Sequence, residues 1–309
     1  MINSLSIVVI SMNNIENLKR CFDSILSLYS LEEYKLYLIA YNFSDENISF
    51  IRDNYPIVSI FQTNGILGFS ENNNIALKSI HSKYCLILND DTYFTDDSIS
   101  KMYHCMNEKL HIKILSPKIL NEDGSIQFLG RPSYNLFSYI LHEFKLVKFL
   151  FVGDKSMPLF KTFNISGACF MICLEHFKKL NFFDEDYFFT PEDIALSTLS
   201  CRFGVNPFVL SEAKVYHIGS STAKYIHQIT IPVGKQGTYL FLRKFYGKIP
   251  EYIYRLFILF LSSIKLGFWL VNFSSIQRKK IMVKAHVNCI KYSFSIFKPK
   301  DLFIKLLHS

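Results

Sequence analysis

Residues 83–97 read KYCLILNDDTYFTDD, in which five consecutive apolar residues, Tyr84 to Leu88, stop at Asn89-Asp90-Asp91. An apolar run of that length, bounded by polar residues, is the pattern of a strand buried on both faces of a sheet served by crossover helices. Acids at its carboxyl end fall where open α/β sheets hold ligands, in the crevice beyond the strand ends. Neighbouring side chains on a strand point to opposite sides, so one acid faces the crevice and the other turns aside. Asp91 is the one expected in the crevice. Such a group suits a hard divalent cation that bridges a carboxylate to a diphosphate. The same residue types also make turns and helix caps, so the pattern alone leaves both readings open.

Upstream, Leu5–Ile10 reads as a first strand, followed by Ser11-Met12-Asn13-Asn14 and a helix with Ile15, Leu18, Phe22 and Ile25 at helical spacing. Asn13 and Glu16 have the spacing of a capping box. Tyr34–Ala40 and Ile57–Gln62 supply two more strands, and Tyr41-Asn42-Phe43-Ser44-Asp45 closes the first of them. The run NGILGFSENNN (64–74), with Gly68 and Asn73, leads into a helix at Ile75–Ile80. Its glycines and asparagines either offer backbone N–H groups to an anion or form a flexible turn. Alternating strands and helices call for parallel strands with right-handed crossovers. There is no GxGxxG and no P-loop, which argues against a dinucleotide oxidoreductase and a P-loop kinase.

Downstream, Asp123-Gly124 signals a hairpin. Residues 163–172 read as a strand entered through small residues, among them Gly167 and Ala168, that let a ligand approach the backbone. The run FDEDYFFTPED (183–193) suggests a helix with Thr190 as N-cap, Pro191 at the first position, and Glu192 and Asp193 in the first turn. Those acids either favour the helix dipole, worth a few tenths to about 1 kcal/mol, or supply a general base on a rigid support. In AKVYHIGSST (213–222), His217 closes a short strand, where it ligates a metal, donates to a phosphate or serves the structure.

The 309 residues can bury one large core or two smaller ones. The net charge of +8 is unevenly placed: residues 1–234 carry 20 Lys and Arg against 24 Asp and Glu, and residues 235–309 carry 14 against 2. Between the basic residues of the tail stand long runs of Phe, Leu, Ile, Trp and Tyr, so an anionic membrane surface is the expected partner, not nucleic acid. The seven cysteines form no CxxC pair and read as reduced core residues of a cytosolic protein. Met1–Ser11 lacks the basic flank of a signal peptide, so none is expected.

Across 251–270, Glu251, Arg255, Ser262 and Lys265 fall within about 80° of one another on a helix, leaving a very wide apolar arc. A bilayer span at 256–276 would place Lys265 near its middle at roughly 2.5 to 3.5 kcal/mol. An interfacial or re-entrant helix is therefore expected in place of a span, with Arg278, Lys279, Lys280 and Lys284 against anionic headgroups. Packing of the arc on the body, or a homodimer, is the alternative.

The opening LSIVVISMNN, then YNFSDE, NGILGFSENNN, LNDDT, NISGACFMI, FDEDYFFTPED and VYHIGSST, in this order across about residues 4–225, resemble the bacterial family 2 glycosyltransferases, in particular the rhamnosyltransferase-like branch that builds O-antigen and capsule. The resemblance implies a GT-A type α/β fold: a Rossmann-like mixed sheet with helices on both faces. Residues 1–115 would be the nucleotide-sugar half, 116–232 the acceptor half and 233–309 a basic, aromatic-rich helical tail. It implies inverting transfer from a dTDP- or UDP-linked sugar to a polyprenyl-diphosphate-linked glycan, at the cytoplasmic face of the inner membrane. Asn89-Asp90-Asp91 would be the DxD-type site, with Asp91 and His217 holding Mg²⁺ or Mn²⁺ and Asn89 and Asp90 on the donor side. Asp193 of the Glu192-Asp193 pair would be the catalytic base. Ser11, Asn13, Tyr41, Asn42, Gly68 and Asn73 would line the nucleotide, and Gly167 and Ala168 the sugar pocket.

Two positions depart from the family pattern. Tyr41 stands where the family usually has an Asp that contacts the base or ribose, and Ala195 stands where it usually has an accessory acid of the helix. A non-catalytic sugar-nucleotide binder and a nucleotidyltransferase are the competing classes; the latter would carry Gly and a basic residue after the first strand, and Ser11 to Ile15 has neither.

Overall fold

The computed structural model describes residues 3–28, 34–150, 152–219, 226–272 and 275–309. In chain order the elements are β1 (Asn3–Ser11), α1 (Ile15–Leu28), β2 (Tyr34–Tyr41), α2 (Asp45–Asn54), β3 (Ser59–Thr63), α3 (Phe69–Leu77), β4 (Ser82–Asn89), β5 (Thr92–Tyr93), α4 (Ser98–Glu108), β6 (Ile114–Leu120) and β7 (Ile126–Phe128). There follow α5 (Leu136–Glu143), β8 (Leu159–Lys161), β9 (Cys169–Cys173), α6 (Leu174–Lys179), α7 (Glu192–Arg202) and β10 (Phe208–His217). Among the described residues, four helices follow: α8 (His227–Tyr246), α9 (Lys248–Val271), α10 (Ile276–Tyr292) and α11 (Pro299–Leu307). The chain divides into two compact units, the second made of residues 134–147, 185–192 and 220–309.

The first unit is built on one mixed sheet in the order β3-β2-β1-β4-β9-β6-β10-β5. β4, the apolar run of the central stretch, lies parallel to β1 and antiparallel to β9. Alternation along the strands sorts the side chains to two faces. Ile7, Val9, Leu36, Leu38, Leu86 and Leu88 pack with α1, α2 and α4, while Val8, Ile39, Cys85 and Ile87 pack with α3, α6 and α7. All seven cysteines are free thiols, as expected of reduced core residues. The division expected at residue 115 falls inside β6, so the two expected halves share one sheet.

Several boundaries differ from the sequence reading. α3 begins at Phe69, not Ile75, because Glu71 accepts the Gly68 N–H (2.8 Å) and the asparagines are buried and paired: Asn72 accepts from Thr63 (2.6 Å), and Asn74 exchanges two bonds with the backbone of Phe183. Such tertiary partners override the poor helix propensity of Asn. Residues 163–168 are not strand; the Ile165 and Gly167 N–H groups go to Ser197 Oγ (3.2 Å) and Asp193 Oδ2 (3.1 Å) instead of a ladder. α1 is capped by Asn14, whose Oδ1 accepts from Asn17 N (3.1 Å), and not by Asn13. α7 starts at Glu192, after a cis Thr190–Pro191 bond, so Thr190 is not its N-cap. Ser220–Thr222 of the VYHIGSST run lie outside the described residues.

The second unit is a helical assembly with an aromatic core in which Tyr139 packs edge-on against Phe241, and Tyr254 against Tyr239. α9 is turned opposite to an ordinary surface helix. Its polar stripe faces inward: Glu251, 2% exposed, pairs with Arg243 (2.5 Å) and Arg255 (2.8 Å), and Lys265 reaches Glu143 (3.4 Å). Its apolar side faces out, with Ile249, Tyr252, Leu256, Phe260, Ile264, Phe268 and Val271 all exposed. Among the described residues α9 is the one helix long and apolar enough to cross a membrane.

Candidate active site

β4 ends at Asn89, and the two acids that follow diverge as strand geometry requires. Asp90 turns toward β1, where its Oδ2 accepts the Ser11 hydroxyl (2.5 Å). Burial pushes the Asp90 carboxyl up to about 6; the Asp91 charge adds to this and the Ser11 hydroxyl opposes it. Asp91 is buried, 7% exposed, and faces His217, whose Nε2 stands 3.1 Å from Asp91 Oδ1. The short β5, directly after the acids, makes this meeting: Thr92 pairs with His217 across the antiparallel β5–β10 contact, and Ile218 donates to Asp91 O (2.9 Å).

That pair is close but not hydrogen-bonded, and Asp91 Oδ1 is a buried acceptor without a partner. The other ring nitrogen, Nδ1, lies 2.6 Å from Gln127 Oε1. The Gln127 amide is oriented in turn, because its Nε2 donates to Asn121 Oδ1 (2.9 Å) and to His217 O (3.3 Å). Nδ1 therefore donates to Gln127 Oε1, and in the neutral ring this makes Nε2 the nitrogen with the lone pair, beside the Asp91 carboxylate oxygen. Two cis ligands of an octahedral Mg²⁺ at about 2.1 Å lie roughly 3.0 Å apart. The donor set thus fits a divalent cation. No cluster of three or more His, Cys, Asp or Glu occurs among the described residues, so oxygens of a bound ligand or water would complete the shell.

Asp193, at the start of α7, is held by three donors: Ile194 N to Oδ1 (2.8 Å), and Gly167 N (3.1 Å) and Arg131 Nη1 (3.4 Å) to Oδ2. A methyl group at Gly167 would stand 3.7 Å from Asp193 Cβ and 4.0 Å from Phe69 Cζ, so Gly167, Asp193 and Phe69 border one small space. Ala168, next in the chain, accepts the Asn89 N–H (3.0 Å) and joins this segment to the end of β4. Glu192 opens α7 on the segment that belongs to the second unit. Ala195, where the sequence lacks the accessory acid, is buried at 4% exposure.

The residues expected around the nucleotide are largely engaged with one another. Ser11 is buried beneath Asp90. Asn13, at φ 55°, accepts from Ser44 N (3.2 Å) and Asn47 Nδ2 (2.8 Å), tying the β1 loop to α2. The Tyr41 hydroxyl donates to Gly65 O (2.9 Å), and Asn42 exchanges two bonds with Gly65, whose φ of +91° suits glycine. The Gly68 N–H is already taken by Glu71, so the expected anion contact through it is not available. Asn73 lies inside α3, fully buried, with Nδ2 on Phe69 O (2.9 Å). Arg131 and Gln127 were not anticipated from the sequence; the only signal was their place after the Asp123-Gly124 turn, Gln127 within the short β7 and Arg131 just beyond it.

A family model described as "Glycosyl transferase family 2" matches residues 6–181. No curated protein matches the chain. Among solved structures, a crystal structure of GalNAc-T7 with UDP, GalNAc and Mn²⁺ is similar at 16% identity and a TM-score of 0.55, over 74% of this chain. The chain spans about half, 48%, of that structure's length. The mixed sheet with helices on both faces is thus a GT-A-like fold.

Proposed function

The chain belongs to glycosyl transferase family 2, and from that premise we propose that it transfers a sugar, with inversion, from a nucleotide-diphosphate donor to a hydroxyl of a lipid-linked glycan in surface polysaccharide synthesis. The observation that carries the reading is the buried, unpartnered Asp91 Oδ1 facing His217 Nε2 at 3.1 Å, at the carboxyl end of β4. GalNAc-T7 was crystallised with UDP and Mn²⁺, which supports a divalent cation with a nucleotide here.

Asp91 and His217 would hold Mg²⁺ or Mn²⁺, which when bound neutralises charge developing on the departing diphosphate. Gln127 keeps His217 in the ligating tautomer. Asp193, fixed by Gly167, Ile194 and Arg131, takes the proton of the acceptor hydroxyl as its oxygen attacks the anomeric carbon; the bond to the diphosphate breaks on the opposite face. With its hydroxyl committed to Gly65, Tyr41 offers its ring face to a base. The outward apolar side of α9 and the basic residues Arg278, Lys279, Lys280 and Lys284 suit an in-plane seat on the membrane surface that carries the acceptor. A peripheral position on the cytoplasmic face of the inner membrane is the localisation this reading proposes, and the outward apolar side of α9 supports it.

The test is release of nucleoside diphosphate across a panel of nucleotide sugars with membrane lipid extract, with and without chelator. Turnover of one donor, lost with chelator and in Asp91→Ala, is the expected result. Binding of a donor without any turnover, even with lipid extract supplied, would overturn the transferase reading in favour of a non-catalytic sugar-nucleotide binder.

A further inference from the structure

The second unit contains a half-open cavity of about 730 Å³ whose walls come from α5, α8, α9 and α10. Its polar side is a buried charge cluster. Glu143 lies between Lys235 and Lys265, with the Tyr254 hydroxyl donating to it at 3.1 Å. Burial would raise the Glu143 carboxyl, but the lysines outweigh it and hold it below the ordinary range. His286, 5% exposed, lines the cavity with an unpartnered Nδ1. Burial, with Lys265 and Lys235 adding, depresses it to about 4, so it is neutral at pH 7. Two ammonium groups against one carboxylate leave a net positive charge. The other side is apolar, and Phe268 both lines the cavity and stands exposed on the outer face of α9.

We propose that this cavity binds a phosphate ester carried on an aliphatic chain, the phosphate between Lys235, Lys265 and His286 and the chain leaving along Trp269 and Phe268 toward the outward face of α9. The space is far larger than a lone phosphate needs and lies in the range of sites for organic ligands. The orphaned His286 nitrogen and the surplus ammonium charge call for an anion, and the apolar wall calls for a chain attached to it. Lys265 is 38% exposed and its contact to Glu143 is long, so it can turn to a ligand. The inference rests on the membrane seat proposed for the tail and gives it a specific ligand.

Trp269 is the single tryptophan of the chain, so its fluorescence reports occupancy of this cavity. The full chain is titrated with decyl phosphate below its micelle concentration, with decanol, with inorganic phosphate and with a short-chain phosphatidylglycerol. Saturable change with decyl phosphate, at least ten-fold tighter than with decanol or inorganic phosphate and weakened ten-fold or more in Lys265→Glu but not Lys265→Arg, is expected. Phosphatidylglycerol binding as tightly supports the site and assigns it to bilayer headgroups; a preference for the monoester assigns it to a lipid-phosphate carrier. Equal binding of decanol, or of inorganic phosphate, or a Lys265→Glu variant that binds unchanged, overturns the proposal. Nucleoside diphosphate release, measured on the same preparations, fails or survives separately, because none of these variants touches Asp91 or Asp193.

Discussion

His217 Nε2 and Asp91 Oδ1 face each other at 3.1 Å without hydrogen-bond geometry, across a contact created by the pairing of β5 with the end of β10. A buried carboxylate oxygen with no donor costs stability unless something cationic meets it. His217→Ala should therefore lower Mn²⁺ affinity by ten-fold or more, while Asp91→Asn, which removes the charge, should lower it further. Mn²⁺ titration followed by electron paramagnetic resonance measures both. Unchanged affinity in the two variants would remove them from the cation site.

Gln127 acts on the cation only through the proton on His217 Nδ1. Outer partners of ligating histidines are typically worth 10–100-fold in metal affinity. Gln127→Leu should cost that much in Mn²⁺ affinity with the donor KM following the metal, whereas Gln127→Glu, which still accepts the Nδ1 proton, should retain most of it. A structural role alone would make both variants lose stability and leave the Mn²⁺ affinity intact, which thermal melts beside the titration distinguish.

The difference between what the sequence disclosed and what it did not follows from range. Asp91 was legible because a buried strand is written in consecutive residues, and His217 because it closes a strand of the same sheet. Gln127 and Arg131 were not, since a hairpin and an irregular loop carry them to the site, and nothing local encodes β6–β7 register or where a loop lands. The same limit explains α9. Its periodicity separates a polar stripe from an apolar arc, but a helical wheel has no sign for which side faces in. Only the partners of Glu251 and Lys265, on Arg243 and Glu143, decide that the polar side is buried.

Asp193 is held by Gly167, Ile194 and Arg131 in one orientation, so its charge can be removed with little change of shape. Asp193→Asn should abolish transfer, by about 10² to 10⁴-fold as general-base losses run, while leaving nucleotide affinity within a few-fold. Calorimetric binding of the nucleoside diphosphate beside a transfer assay reads both. Loss of binding in parallel with transfer would make Asp193 a binding residue.

On the outer side of α9, Phe260 and Ile264 are exposed and lie one turn apart. Replacing both with Asp should move the protein from vesicles to the soluble fraction, since each buried CH₂ contributes about 0.8 kcal/mol to membrane seating. Converting Arg278, Lys279 and Lys280 to Gln should weaken binding to anionic vesicles by about 1 kcal/mol per charge, and raising salt should remove that difference. Flotation on vesicles with and without phosphatidylglycerol provides the measurement. Retention of the Phe260/Ile264 double variant on vesicles would mean that this face is covered by protein instead.

His286 is depressed to about 4 by burial and by Lys265 and Lys235, with Glu143 opposing, against an ordinary value near 6.5. Between those two values the unfolded chain binds a proton that the folded chain does not. Stability from this group is therefore complete above about pH 6.5 and is lost as pH falls toward 4, on the order of 2 to 3 kcal/mol. Glu143, held low by the same lysines, loses its contribution in the same direction. Asp90, raised to about 6 in the other unit, runs the opposite way, so the comparison must be made on one group. Urea unfolding followed by Trp269 fluorescence at pH 7 and pH 5 should show a smaller pH-dependent loss in His286→Gln than in the unmodified chain. Equal losses in the two would mean that His286 is protonated in the folded protein, and that Lys235 and Lys265 do not press on it as their positions require.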